Sequence, residues 1–174
     1  MKLLPMYFIE GIDQLTTDLP NIIRNGDILR LKELITADNQ IVNEKFKANQ
    51  TSLMEAIIFR QEEIAKLLIE NGADVNAQDD KGWSALHFAA QSYLPNTIKL
   101  LIAKKANIDL QDSLGSTPLF RAVINSKRGG EIIRILLKAG ADRNKKNNYG
   151  HSPLEIAQKV DDHKIIEYFE KIDE

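Results

Sequence analysis

A short pattern of residues recurs at a nearly constant interval, and this repetition limits the folds open to the chain. The pattern is a hydroxyl residue, a leucine two positions later, and an alanine three positions after the leucine. It begins at Thr51, Ser84, Thr117 and Ser152, at intervals of 33, 33 and 35 residues. A period of this length indicates a stack of similar units, each contacting only its neighbours, instead of one closed globule.

A second pattern keeps the same period. Gly-Ala-Asp-x-Asn occupies 72–76 and 140–144, and a variant occupies 105–109, where Lys105 replaces the glycine. Together, the two patterns resemble the ankyrin repeats, which have the same period and a related core motif around Leu-His at Leu86 and His87. The resemblance implies an all-α solenoid of stacked helix-turn-helix units with projecting β-hairpin-like loops. It also implies protein binding without catalysis.

The register of the patterns divides the chain. We predict an ankyrin-repeat domain over 18–174, with repeats at about 18–50, 51–83, 84–116, 117–151 and 152–174. Residues 1–17 match no repeat, but they are too apolar for a free tail. We therefore expect a short helix near 6–16 that covers the first repeat, and a detachable partner-binding arm is the alternative.

Individual residues within each repeat predict where its helices begin and end. The hydroxyl residues that open the pattern can cap helices, because their oxygens accept a backbone N–H. Gly72 and Gly140 stand where a helix commonly ends in a left-handed residue, so we expect Lys105 to be left-handed and strained. The resemblance implies that the ring of His87 bonds the backbone of a neighbouring repeat. The segment 125–130 holds two extra residues, as either a tolerated insertion or a bulge that contacts a partner.

Composition narrows the function. A formal net charge of −2 argues against nucleic-acid binding, which needs a concentrated basic face. The chain has no cysteine, which fits a reducing compartment. Its apolar start is a poor signal peptide, because Pro5 interrupts it and Glu10 ends it. No apolar run approaches the roughly 20 residues that span a bilayer. We therefore expect a cytoplasmic protein without membrane contact.

Nothing in the sequence predicts catalysis. The three histidines are spread along the stack, so they form no metal-ligand cluster. The paired carboxylates, such as Asp161 and Asp162, are neighbours in sequence and do not face each other across a cleft. Gly129 and Gly130 lack the spacing and the lysine of a phosphate-binding loop. We predict no catalytic residues, no metal, no cofactor and no enzymatic activity.

The resemblance also implies where a partner binds, because loop tips and first-helix faces form one concave surface in the family. Trp83 and Tyr149 are the strongest candidates, since aromatic residues are enriched among binding hot spots. Ile58 and Ile124 would line the same side of the stack, with burial against neighbouring loops as the alternative for these two. The predicted partner-binding residues are Phe59, Asp80, Lys81, Trp83, Gln91, Ser92, Tyr93, Leu114, Ser116, Asn125, Tyr149, His151 and Lys159.

The leading hypothesis is a module that binds one specific protein and inhibits or neutralises it, as an immunity protein or antitoxin does. A rigid concave face can cover a partner's active cleft at little ordering cost. The alternatives are an adaptor that bridges two proteins, which would need a second surface such as 1–17, and a secreted effector or regulator. We expect the free protein to be a monomer.

Overall fold

The structure is a computed structural model that describes residues 18–125, 130–159 and 163–170, without the side chain of His163. The helix predicted near 6–16, the extra residues 126–129 and the acidic pair at 161–162 lie outside the described residues.

The described residues form ten α-helices in five successive pairs, which confirms the all-α solenoid. Two single antiparallel bridges, Lys45 to Thr51 and Gln78 to Ser84, close the bases of two projecting loops in the manner of a hairpin. Short 3₁₀ turns at Asn39–Asn43 and Lys47–Asn49 lead into the first of these loops. The helices are α1 Leu19–Asn25, α2 Ile28–Ala37, α3 Ser52–Ile58, α4 Glu62–Glu70, α5 Ala85–Ser92, α6 Pro95–Ala103, α7 Pro118–Ile124, α8 Glu131–Lys138, α9 Pro153–Lys159 and α10 His163–Glu170.

The pairs stack in two layers. The first helices of the pairs, α1, α3, α5, α7 and α9, pack in sequence, and the second helices pack beside them in the same order. The core lies between the layers, and Leu53, Leu86 and Leu119 are fully buried in it. The recurring alanines are also buried, which lets neighbouring first helices approach closely; they are Ala56, Ala89, Ala122 and Ala157.

The recurring hydroxyl residues begin the first helices. Thr51 Oγ1 accepts the N–H of Met54 at 3.3 Å, and Thr117 Oγ1 accepts the N–H of Phe120 at 3.2 Å. Ser152 and Glu155 cap reciprocally, each side-chain oxygen accepting the backbone N–H of the other residue. The first helices α3, α5, α7 and α9 therefore start at the base of a projecting loop and end at the far side of the stack.

Three of the second helices, α4, α6 and α8, are closely followed by a left-handed residue. The φ angles are 91° at Gly72 and 92° at Gly140, and Lys105 adopts 63° at the equivalent position. The sequence prediction for Lys105 is confirmed. A side chain in this conformation has its Cβ too close to the following carbonyl, at a cost of roughly 1 kcal/mol.

Replacing Lys105 with glycine should therefore stabilise the protein. We expect Lys105→Gly to raise the free energy of unfolding by up to about 1 kcal/mol, measured by urea denaturation. The matched control is Lys104→Gly, because Lys104 has an ordinary φ of −91° and glycine there only adds freedom to the unfolded chain. A Lys105→Gly midpoint that is unchanged or lower would contradict the strain at this turn.

Candidate functional site

Three of the projecting loops fold alike because an Asp or Asn opens each of them. In every case Oδ1 of that residue accepts two backbone N–H groups, two and four positions further along, at 2.8–3.0 Å. A glycine with φ near 75° follows three positions after it and completes the turn. The opening residues are Asp79, Asp112 and Asn147, and the glycines are Gly82, Gly115 and Gly150.

Backbone hydrogen bonds join the tip of each loop to the next. The N–H of Asp80 donates to the carbonyl of Ala48 at 3.0 Å, that of Ser113 to Lys81 at 2.9 Å, and that of Asn148 to Leu114 at 3.0 Å. The four residues Ala48, Lys81, Leu114 and Tyr149 hold equivalent positions along this ladder, and we call them the tip row.

Side chains add a second set of links between the loops. Gln78 Nε2 donates to its own loop at the Gly82 carbonyl and to the next loop at the Gln111 carbonyl, at 2.6 and 3.0 Å. Gln111 repeats the arrangement with the carbonyls of Gly115 and Lys146. The loops approach so closely that a Cβ added to Gly115 would lie 2.8 Å from the backbone nitrogen of Asn148. The tip row is therefore held in place by the stack.

The tip row presents large exposed side chains. Lys81 is exposed, Leu114 is 44% exposed and Tyr149 is 68% exposed. At the far ends of the first helices, Phe59 is 45% exposed, with the guanidinium of Arg24 5.1 Å from its ring centroid. Ile124, at the end of α7, is 52% exposed, so it is not buried against a neighbouring loop.

Trp83 is half-buried and does not stand free at a tip. The guanidinium of Arg121, from α7, lies 4.5 Å from the centroid of its ring, and the ring of Phe88 lies 5.0 Å away at a tilt. Arg121 is held there by an ion pair with Asp112, whose side chain is completely buried. The ion pair positions the guanidinium of Arg121, and the cation–π contact holds that guanidinium against one face of the Trp83 indole.

A cleft of about 400 Å³ opens beside Trp83, between the first two loops of the tip row. Asp79, Asp80 and Lys81 line one side of it, and Trp83 and Phe88 contribute their rings. Asn49 Nδ2, from the preceding loop, donates to Asp80 Oδ1 at 2.6 Å and fixes that carboxylate at the mouth. The cleft thus combines aromatic surface with carboxylates.

Two predicted partner-binding residues are less exposed than the tip row, and one of them is buried. Ser116 is only 3% exposed, because its N–H donates to Asp112 Oδ1 and its carbonyl bonds His87, so its side chain is not on the surface. Tyr93 ends α5 in the left-handed conformation, with φ of 55°, and packs half-buried against the core.

The structure places the remaining predicted residues at the far ends of the first helices or in the last loop. Gln91 is exposed and accepts a hydrogen bond from Asn125 Nδ2 at 2.6 Å, which links the ends of α5 and α7. The carbonyl of Ser92 accepts from Arg60. His151 is half-buried at the base of its loop, and Lys159 is exposed.

Sequence reasoning missed Phe88 and Arg121. Both occupy the same position of the repeat, 33 residues apart, four residues after the hydroxyl that begins a first helix. The residue at this position differs in all four repeats, whereas the alanine that follows it is constant, and that contrast is the signal for a position outside the common packing.

His87 links the third and fourth helix pairs. Its Nδ1 accepts the N–H of Ser84 at 3.1 Å, so Nε2 carries the proton and donates to the Ser116 carbonyl at 3.0 Å. The predicted bond to the backbone is present, and its acceptor, Ser116, stands immediately before Thr117, where the next repeat begins. Burial lowers the pKa of His87 below its usual value, against the opposing effects of the Ser116 carbonyl and Asp112.

Acid should therefore destabilise the protein through His87. The unfolded chain takes up a proton near pH 6.5, whereas the folded ring stays neutral to lower pH, so stability falls as the pH drops below 6.5. We expect a loss of up to about 1.4 kcal/mol per pH unit in the free energy of unfolding between pH 6.5 and 5. His87→Gln should flatten this slope, and equal slopes for the two proteins would contradict the assignment.

The described residues contain no group of three or more His, Cys, Asp or Glu that could hold a metal ion. Within the same residues, no helix has both the length and the apolar character needed to cross a membrane.

Comparison with known proteins agrees with this architecture. A family model described as ankyrin repeats (3 copies) matches residues 19–112 and 86–171. An ankyrin repeat protein of fowlpox virus is 34% identical over 128 residues, which are 71% of this chain and 37% of that protein. Protein PhlB of Serratia liquefaciens is 31% identical over 143 residues, which are 82% of this chain and 61% of that protein. Mouse protein phosphatase 1 regulatory subunit 27 is 30% identical over 96 residues, 55% of this chain and 62% of that protein.

The stacked helix pairs with their ladder of loops define a helical repeat protein. The chain belongs to the ankyrin-repeat family, whose repeats are modules for protein–protein interaction and are generally not enzymes. It spans less than two thirds of the length of each relative named above.

Proposed function

We propose that this protein binds one specific protein partner through the tip row and the first-helix ends, and inhibits that partner by covering it. The observation that carries the proposal is the pair Leu114 and Tyr149. These large side chains are 44% and 68% exposed on adjacent loops whose backbones are hydrogen-bonded to each other. Contiguous exposed apolar side chains of this kind usually mark interaction sites.

The fixed loops favour tight binding. A partner that docks on the tip row does not have to order the loops first, so less binding free energy is spent on lost conformational freedom. Tyr is enriched among binding hot spots, and Tyr149 offers a large contact area with few rotatable bonds. The surface runs from the tip row along the first helices to Phe59 and Ile124, so it extends over the full length of a first helix.

Inhibition is the simplest action for such a surface, because a rigid face that covers an active cleft blocks it without further chemistry. One relative is named as a regulatory subunit of a protein phosphatase. An immunity protein or antitoxin that neutralises a toxin is the specific version that we favour. The adaptor alternative depends on a second surface at 1–17, which lies outside the described residues.

The amino-acid composition bears on the cellular compartment and on the type of partner. The lack of cysteine fits the reducing cytoplasm, and the net charge of −2 favours a protein over a nucleic acid as partner. We expect the free protein to be a monomer in sizing chromatography.

Truncation of the exposed pair tests the binding surface. The wild-type protein is used as bait in extract of its native host, the captured protein is purified, and its affinity is measured for each variant. Leu114→Ala with Tyr149→Ala should weaken binding by about tenfold or more, because hot-spot truncation costs about 2 kcal/mol or more. Leu29→Ala is the matched control, since Leu29 is 72% exposed but lies on the second helix α2, away from the tip row.

Two outcomes would contradict the proposal. Equal affinity of the double variant and the wild type, with the fold retained by circular dichroism, would place the partner on another surface. If the partner's own activity is unchanged when it is saturated with this protein, then binding without inhibition is the function.

A further inference from the structure

Two neighbouring repeats carry the same acid at the same place but differ in what lies beside it. Asp112 opens one loop, and Arg121, nine residues later, pairs with it and stacks on Trp83. Asp79 opens the preceding loop in the same way, and the residue nine positions later is Phe88. Asp79 therefore lacks the arginine that Asp112 receives from the first helix after its loop.

The carboxylate of Asp79 is left with half of its hydrogen-bonding capacity unused. The residue is only 8% exposed, and Oδ1 accepts the N–H groups of Lys81 and Trp83. Among the described residues, no group donates to Oδ2 and no cation pairs with Asp79. Oδ2 is not among the polar atoms that the protein encloses without a partner, so a cation that enters from solvent can reach this second oxygen.

The space beside Asp79 is the cleft next to Trp83. Its lining places two carboxylates, Asp79 and Asp80, against one ammonium, Lys81, so the cleft has a net negative charge. Phe88 and Trp83 supply the aromatic wall. Arg121 adds no net charge there, because the buried Asp112 neutralises it. A volume of about 400 Å³ exceeds what one long side chain fills.

We infer that this cleft receives an arginine side chain of the protein partner, whose guanidinium pairs with Asp79 and stacks on the rings of Phe88 and Trp83. The inference rests on the proposed function and names the chemistry that the partner must present. The guest arginine would reproduce, between two molecules, the arrangement that Arg121, Asp112 and Trp83 form within this one.

Arginine suits the cleft better than lysine does. A planar guanidinium can stack on an aromatic face and donate two parallel hydrogen bonds to a carboxylate in the same pose. An ammonium is a compact, strongly hydrated point charge, and it would lose more hydration beside the two rings. The exposed ammonium of Lys81 remains in water at the tip of the loop and screens the attraction only in part.

The test uses the whole protein and a small probe. Trp83 is the chain's only tryptophan, so its fluorescence reports directly on the cleft. Nα-acetyl-arginine amide is titrated at constant ionic strength beside the lysine and citrulline amides; citrulline keeps the shape of arginine without its charge. We expect a saturable change for arginine with a dissociation constant of about 1–10 mM, weaker binding of lysine, and no saturation with citrulline.

The variants separate a direct pair from general electrostatics. Asp79→Asn removes the charge but retains an oxygen for the two backbone N–H groups, as Asn147 does in its own loop. It should weaken arginine binding by about tenfold. Glu70→Gln removes the same charge from the exposed end of α4 and should leave the affinity unchanged.

Any one of three results would overturn the inference. These are no saturable response to arginine, equal binding of arginine with lysine or citrulline, or an unchanged affinity of Asp79→Asn. The titration involves no partner protein, so its failure removes the arginine site alone. Failure of the proposed function would appear separately, as a partner whose affinity is indifferent to Leu114 and Tyr149.

Discussion

Hydrogen bonds between the backbones of successive loops are the interaction on which the binding surface depends. A projecting loop of six or seven residues has few contacts of its own, and alone it would sample many conformations. Here the tip amides of Asp80, Ser113 and Asn148 each donate to the loop before them, and Gln78 and Gln111 span adjacent loops. Each loop is therefore held in one conformation by the neighbouring loop, just as each helix pair packs against the neighbouring helix pair.

This continuity explains why the chemistry of the surface is shared between repeats. Trp83 belongs to one loop, and the acid that holds the guanidinium, Asp112, belongs to the next loop. The guanidinium itself comes from α7, the helix that follows that second loop. The scaffold repeats, but the residues at its variable positions do not. Within the part of the chain that the structure describes, Leu114 and Tyr149 remain exposed and no cation pairs with Asp79.

The sequence predicted those features that depend on the repeat itself. The period predicted the stacked helix pairs, Lys105 was expected to be left-handed from its alignment with two glycines, and His87 was expected to bond a neighbouring repeat. The surface was less predictable, because it depends on contacts between repeats. The alignment placed Ser116 beside the tip, but the residue after the loop glycine turns back into the stack. Trp83 looked like a free tip residue because its partner, Arg121, lies in another repeat.

Amide hydrogen exchange at the loop tips measures the central claim directly. Asp80, Ser113 and Asn148 are exposed residues of projecting loops, yet each of their amides is bonded to the neighbouring loop. If the stack fixes the surface, these three amides exchange nearly as slowly as those of the buried first helices, because they open only when a whole repeat opens. Exchange at the rate of an unstructured peptide would show loops that move independently, and would contradict a preformed binding surface.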